Sequence, residues 1–354
     1  MLLHDDILKV FRNQENPVLK SLRHFARVAL HAQLMPILEA GEETTLVGGQ
    51  AVMEGVMMRA PHSYCVAVRK ANGEMVTEEA PLAKLSEKYP IFKLPILRGL
   101  GTLGQAMQLG MKALQFSANQ ALDETPADAS STEKVKKKPT EISGWMMAVN
   151  LAFMIGFFIF MYKVLPLFLA RQLGNWNPIF HGRITENFVD GGIRILLFLG
   201  FLFAISLTKD IQRVFQYHGA EHKVVFNFES GKPVNIPNAQ SFVTFHPRCG
   251  TSFMLVVMVI ALVVYAFLPV DNFMLKLALR IALLPFIAGL SYELIRFAAK
   301  RQDSILMKAL TTPGLWLQRI TTKQPDDTQA AVAIFALEGA MKLEKEQGGE
   351  LVIA

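Results

Sequence analysis

Apolar residues are concentrated after residue 145, in four long runs at about 146–170, 190–208, 251–269 and 276–298. Each run is close to the roughly 20 residues that an α-helix needs to cross the hydrocarbon core of a bilayer. The pattern therefore predicts a mainly α, polytopic membrane protein with about four transmembrane helices, occupying residues 145–300. A polar loop at 209–250 separates the second pair of runs from the first.

The region before these runs, 46–122, has shorter periodic patterns. Apolar residues on either side of Asn72-Gly73 predict a small β-hairpin, because this dipeptide supplies the positive φ angles of a tight turn. Residues 96–114 place apolar side chains at helical spacing but include four glycines, which favours an interfacial or re-entrant helix. We expect 46–122 to be a cytoplasmic segment against the membrane.

Three further segments are polar or amphipathic. Residues 1–45 predict an amphipathic helical extension with basic side chains, which either lies on an anionic membrane surface or packs on its own protein. Residues 123–144 contain almost nothing that can be buried and predict a flexible linker. Residues 301–354 predict a cytoplasmic helical tail.

The tail contains a helix start at Pro325-Asp326-Asp327, and we interpret both aspartates as N-terminal caps. The predicted apolar face of this helix includes Val332, Phe335 and Ala336.

Charge distribution predicts orientation. The net charge is +6, but no nucleic-acid-binding signature accompanies it, so we expect no nucleic-acid partner. The basic residues precede the first run, fill the 209–250 loop and follow the last run, whereas the opposite loops offer little beyond Arg171 and Arg183. The positive-inside rule therefore predicts that both termini and the 209–250 loop are cytoplasmic. With two distant cysteines, Cys65 and Cys249, a disulfide framework is not expected.

The strongest chemical pattern is Y-H-G-A-E-H-K at 217–223. His218 and His222 are four residues apart, so on a helix both imidazoles project from one face and can share a cation. Glu221 completes H-x-x-E-H, the inverted zinc-protease pattern, in which the glutamate acts as general base.

A second group follows in F-H-P-R-C-G-T-S-F, where His246 and Cys249 lie three apart. Together with His218 and His222 they form a good set of zinc ligands, although another divalent metal is not excluded. Four ligands make a closed, structural shell; three leave a position at which Glu221 acts as base. The alternative is that the histidines bond phosphates or backbone carbonyls and that Cys249 is simply buried.

Two other features have competing interpretations. The Gly-rich segment G-G-Q-A-V-M-E-G-V-M-M-R lacks the spacing of a nucleotide loop; Glu54 and Arg59 either enter the site from it or belong to a structural turn. Lys163, Arg194, Arg280 and Glu293 lie within or beside the apolar runs. Near the end of a run such a side chain can extend to the membrane surface, whereas one that faces the interior needs a partner, and this second interpretation motivates a transporter hypothesis.

Taken together, GGQAVMEGVMMR, PILRG, HGAEHK, HPRCGTSF and PGLWLQRITTKQPDD resemble the signature segments of the YqhQ-like family of bacterial membrane proteins. The resemblance covers roughly residues 46–340. It implies a bacterial inner or plasma membrane location and a metal-dependent enzyme of unassigned substrate.

Three hypotheses follow. The first is a membrane-embedded metal-dependent hydrolase, with Glu221 as catalytic base, acting at the cytoplasmic interface on a membrane peptide or a lipid headgroup. The second is a non-enzymatic scaffold or assembly factor with a structural metal. The third is a transporter. The lipid bilayer is the expected partner in all three, and the sequence does not indicate an oligomeric state.

Overall fold

The computed structural model describes residues 47–83, 85–122, 144–180, 182–247, 249–299 and 305–346. The predicted N-terminal extension (1–45) lies outside these residues, as does the predicted linker up to residue 143. Both stay predictions.

Four strands form one antiparallel sheet in sequence order: β1 (Gly48–Val52), β2 (Gly55–Arg59), β3 (Ser63–Arg69) and β4 (Met75–Pro81). The predicted hairpin at Asn72-Gly73 is confirmed as the β3–β4 connection, where Gly73 has a φ of 88°. The Gly-rich segment, expected to be a turn, is a second hairpin, because β1 and β2 pair along their whole length.

Most of the remaining described residues are helical. The helices are α1 (Leu85–Lys88), α2 (Leu97–Leu122), α3 (Gly144–Ile159), α4 (Leu165–Trp176), α5 (Arg183–Ser206), α6 (Lys209–Glu229), α7 (Ile236–Ser241), α8 (Gly250–Ala266), α9 (Phe273–Ala282), α10 (Leu284–Ala299), α11 (Ile305–Thr321) and α12 (Asp327–Glu346). A π-helical turn at Phe160–Val164 joins α3 to α4, and short 3-10 turns lie at Pro90–Lys93 and Pro178–Phe180. The mainly helical class with a small sheet is confirmed.

Within the described residues, the structure has two or three candidate spans where the sequence predicted about four. Two helical segments are long and apolar enough to cross a bilayer, Ala152–Trp176 and Ile184–Ser206. A third is present if Phe273–Ala282 and Leu284–Phe297, bent by 46° relative to each other, count as one span. The remaining apolar run forms Gly250–Ala266, which is shorter than a full span. It ends shortly before Pro269, and proline disfavours the helical conformation of the residue that precedes it.

The sheet has helices on both faces. Val56, Met58 and Cys65 point into a core shared with α6 and α12, while Met57 and Val66 contact α2 on the other side. Because side chains alternate between the two faces of a strand, β2 and β3 are apolar along almost their whole length. Helix α2, predicted as interfacial or re-entrant, thus packs on the sheet, and its position relative to the bilayer stays a prediction.

Helix α12 begins where the sequence indicated. Asp326 Oδ1 accepts a hydrogen bond from the Gln329 backbone N–H at 2.8 Å, and Gln329 Oε1 accepts one from the Asp326 N–H at 3.0 Å. This reciprocal capping box supports the capping interpretation of Asp326. The predicted apolar face is right for Val332 and Ala336, which are fully buried, but wrong for Phe335, which is 39% exposed because the sheet covers the neighbouring stripe of the helix.

Candidate metal site

Helix α6 carries the H-x-x-E-H pattern and lies between the sheet and the connection that joins α11 to α12. The rings of His218 and His222 project from one face of α6, with their centroids 4.4 Å apart. Between them Gly219 lies against the backbone of Lys323, where a Cβ atom would come within 2.0 Å of the carbonyl oxygen. Only glycine permits this approach, so the spacing H-G-A-E-H also serves packing.

Cys249 is brought to these rings from the residue immediately before α8. Its Sγ lies 3.3 Å from His218 Nε2 and 3.1 Å from Thr251 Oγ1. One ligand atom each from His218, His222 and Cys249 lies within 4.8 Å of the other two. Three of the four predicted ligands therefore converge, although Cys249 is 31 residues from His218 in sequence.

Two backbone carbonyls orient the histidine rings. His218 Nδ1 lies 2.8 Å from the Thr321 oxygen, and His222 Nδ1 lies 2.5 Å from the Thr244 oxygen. A carbonyl only accepts hydrogen bonds, so each Nδ1 donates, and in its neutral form each ring then has its lone pair on Nε2. Burial lowers the pKa of His222, which favours that neutral form. The carbonyl contacts match one alternative from the sequence, and they also match the outer-shell bonds of metal-binding histidines.

His246 differs from the other predicted ligands. Its ring lies between Phe226 and His222, with centroid separations of 4.5 and 5.6 Å, and its Nε2 is 3.5 Å from Glu229 Oε2. Its backbone N–H donates to Gln318 Oε1 at 2.7 Å. Burial lowers the pKa of His246 to about 4. In this arrangement His246 borders the three-residue cluster on the side of Phe226.

Glu221 lies beside the cluster. Its Oε2 is 3.4 Å from His222 Nε2, the ring nitrogen that holds the lone pair, and the residue is buried. Strand β1 covers it, since a Cβ atom on Gly49 would come within 2.6 Å of Glu221 Cγ. The Gly-rich segment therefore contacts the site through glycine backbone rather than through a charged side chain.

Glu54 and Arg59, the charged residues of that segment, have other surroundings. Glu54 has a φ of 53° in the β1–β2 turn, and its carboxylate accepts hydrogen bonds from the guanidinium of Arg213 on α6. Burial lowers the pKa of Arg59, which lies near Tyr292. These contacts support the structural-turn interpretation.

The groups that orient the site were not indicated by the sequence. Thr244 and Thr321 act through backbone carbonyls, which every residue type possesses. Gln318 fastens the His246 segment by donating from Nε2 to the His246 oxygen at 2.7 Å and to Ser252 Oγ at 2.9 Å. Gln318 does lie within the PGLWLQRITTKQPDD segment, and membership of this signature segment is the sequence feature that could have indicated Gln318.

Comparison with known proteins identifies relatives of this chain. The model of a family described as "Protein of unknown function (DUF1385)" matches residues 94–343. The chain is also 36% identical over 299 residues to the "Uncharacterized protein YqhQ" of Bacillus subtilis (strain 168), covering 84% of this chain and 92% of that protein. No solved structure matches the chain significantly.

Proposed function

This chain belongs to the DUF1385 family, and we propose that it is a membrane-associated, metal-dependent hydrolase. The observation that carries the proposal is the convergence of one ligand atom each from His218, His222 and Cys249 next to the Glu221 carboxylate. Two imidazoles and one thiolate are ligands that Zn²⁺ prefers. A three-ligand set is typical of catalytic zinc, whereas structural zinc takes four protein ligands.

The donor set fits a divalent metal in its protonation and its orientation. Both histidines hold their proton on Nδ1, so their Nε2 lone pairs are available to a cation. The Cys249 thiol loses its proton when a metal binds, and the three ligands then contribute one negative charge. A bound zinc-like ion would supply Lewis-acid polarisation of a substrate carbonyl or phosphoryl group.

Glu221 has the position that a general base requires. Its carboxylate lies next to the ligand atom of His222 and is shielded from bulk water by strand β1. A carboxylate in such a place can take a proton from an attacking water and return it to the leaving group. The close approach of Gly49 to Glu221 Cγ leaves no room there for a larger residue at position 49.

The surroundings of the cluster suggest its substrate. Cys249 immediately precedes α8, an apolar helix, and α6 directly follows the candidate span Ile184–Ser206. Cys249 thus brings the cluster to the end of an apolar helix, and the basic 209–250 loop favours the cytoplasmic side. We therefore propose that the substrate is a membrane peptide or a lipid headgroup presented at this interface.

A structural metal site in a scaffold protein is the second candidate. The cluster joins α6, the start of α8, the Thr244 segment and the end of α11, which are far apart in sequence. An ion there would fasten these segments even if no reaction took place. His246, whose ring is 5.6 Å from that of His222, would complete a closed shell after a change of side-chain conformation.

Replacing Glu221 by Gln separates the two candidates. The change keeps size and hydrogen bonding but removes the base, so an enzyme loses activity by roughly a hundredfold or more while keeping its metal. The readout is complementation of a strain that lacks the gene, with protein abundance and metal content measured in parallel. His222→Ala damages both kinds of protein, and Glu338→Gln, on the exposed face of α12, is the matched neutral control.

Full complementation by Glu221→Gln, together with failure of His222→Ala, would refute the hydrolase and favour the scaffold. Failure of Glu221→Gln at normal abundance and metal content, with Glu338→Gln active, supports catalysis.

A further inference from the structure

Four charged side chains are buried together inside the apolar helices, remote in sequence from the H-x-x-E-H motif. We call them the buried cation cluster: Lys163, Asp190, Arg194 and Arg280, with exposed fractions of 6, 1, 4 and 0%. Lys163 lies in the candidate span Ala152–Trp176, Asp190 and Arg194 in Ile184–Ser206, and Arg280 in the bent pair. The cluster thus brings the three candidate spans together.

Tyr265 of α8 is at the centre of this cluster. The three cationic groups lie over its ring, at 5.2 Å for Lys163, 5.5 Å for Arg194 and 5.1 Å for Arg280. Its hydroxyl accepts a hydrogen bond from Lys163 Nζ at 3.2 Å and donates one to the Arg280 carbonyl at 2.7 Å. Cation–π contact with an aromatic face stabilises such groups only in part.

The charges of the cluster do not balance. Asp190 accepts from Arg194 Nη2 at 2.6 Å and lies 3.1 Å from Arg280 Nη1. The neighbouring Lys276 is paired with Glu186 at 2.8 Å. Within the part of the chain that the structure describes, three basic side chains and one carboxylate give the cluster a formal charge of +2.

Several donors of the two guanidinium groups are also unused. Arg194 Nη1 and Arg280 Nε are buried and have no hydrogen-bond partner among the described residues. Arg194 is 10 residues from the beginning of its candidate span and 12 from the end, so it is near the middle of that helix. Ionisable residues within a membrane helix are rare, and they are typical of functional sites.

The helices are irregular at the cluster. Lys163 lies within the π-helical turn Phe160–Val164, and Arg280 lies just before the 46° break between α9 and α10. π-helical turns occur frequently at functional sites, and broken helices in membranes commonly form ligand sites near the middle of the bilayer. Two such irregularities therefore coincide with the unbalanced charge.

We propose that the buried cation cluster binds an oxyanion of the phosphate type, carried either by a lipid headgroup or by inorganic phosphate. Planar guanidinium groups present paired N–H donors that match the oxygens of a phosphate, and Lys163 adds a point charge. The net charge of +2 offsets one or two negative charges of such a ligand. This site is separate from the His218–His222–Cys249 cluster and does not depend on the proposed hydrolase activity.

The experiment uses the full chain purified in detergent. Equilibrium binding of radiolabelled orthophosphate tests the free anion, and native mass spectrometry with added phosphatidylglycerol or phosphatidylcholine tests the lipid. We expect one of the two sources to bind, with phosphatidylglycerol retained in preference to phosphatidylcholine if the lipid is the ligand.

Three variants test where the anion binds. Lys163→Met removes a charge-assisted hydrogen bond and should weaken binding about tenfold or more. Asp190→Asn removes the competing carboxylate and should tighten binding, whereas a merely structural ion pair would give no such gain. Lys112→Met, on the exposed surface of α2, is the control for loss of positive charge and should bind like the native protein.

The proposal is overturned if the native protein binds neither phosphate nor anionic lipid, or if Lys163→Met binds as tightly as Lys112→Met. If Lys163→Met does not fold, the native protein and Asp190→Asn provide the test. Weaker anion binding by a monodisperse Asp190→Asn protein than by the native protein also overturns the proposal.

Discussion

Replacing Gly219 by Ala is the most direct test of how the site is held. The added Cβ atom would lie 2.0 Å from the Lys323 carbonyl oxygen and 3.2 Å from Thr244 Cγ2. Ordinary contact begins at 3.4 Å, so the 322–326 connection must move away from α6 by more than 1 Å. That connection is fixed to α6 by the hydrogen bond from the Lys323 N–H to the Phe215 oxygen at 2.9 Å.

The expected change in stability of Gly219→Ala is the sum of two opposing effects. Overpacking of this kind costs about 1–3 kcal/mol. Alanine in place of glycine in a helix gains up to about 1 kcal/mol. A Cβ atom added to Gly104 on α2 would have no atom within 4 Å, so Gly104→Ala shows the gain without the cost. We therefore expect Gly219→Ala to be less stable than Gly104→Ala by about 1–3 kcal/mol, or roughly 1–4 °C in Tm for a chain of this length.

The same displacement reaches the metal site. The Thr321 carbonyl, which holds His218 Nδ1 at 2.8 Å, immediately precedes the connection that must move. Loss of such an orienting contact typically weakens metal affinity about 10–100-fold. The assay is thermal unfolding in detergent, with a metal titration on the same samples. A Gly219→Ala protein with the Tm and the metal affinity of Gly104→Ala would show that the close approach is not needed.

Four further predictions can be checked independently. Replacing His218 and His222 together by Ala should abolish bound zinc-like metal in elemental analysis, and full retention would exclude both as ligands. Burial raises the pKa of Cys65 to about 12, so in folded protein at pH 8 only roughly one thiol in ten thousand is ionised. Mass spectrometry should find Cys65 unmodified after brief treatment with iodoacetamide at pH 8. The rate of its modification should rise about tenfold per pH unit while the fold persists, and rapid labelling at pH 8 would contradict this prediction. Asp326→Ala removes the cap of α12 and should lower stability by about 1 kcal/mol, whereas an unchanged Tm would show that the capping box is dispensable. Lys232→Cys, exposed after α6, should react with impermeant maleimide only after the cells are opened, and labelling of intact cells would overturn the predicted topology.

The sequence alone determined features that depend on neighbouring residues. Apolar runs identified helices long enough to enter a membrane, although the bend near residue 283 and the short α8 reduced the predicted four spans to two or three. Asn72-Gly73 identified a hairpin because its φ angles are a local property. The four-residue spacing of His218 and His222 placed both rings on one face, since helical periodicity is local as well.

Only the tertiary structure decided what lies around those residues. It placed Cys249 against His218, strand β1 over Glu221, and the carbonyls of Thr244 and Thr321 on the two Nδ1 atoms. It also gathered Lys163, Arg194 and Arg280 from separate parts of the chain around the ring of Tyr265. Local patterns fix periodicity and turn angles, but they carry no information on which distant backbone oxygen or charge a helix will meet. Those contacts are set by the packing of whole elements, to which the close approach at Gly219 and the alternating faces of β2 and β3 contribute.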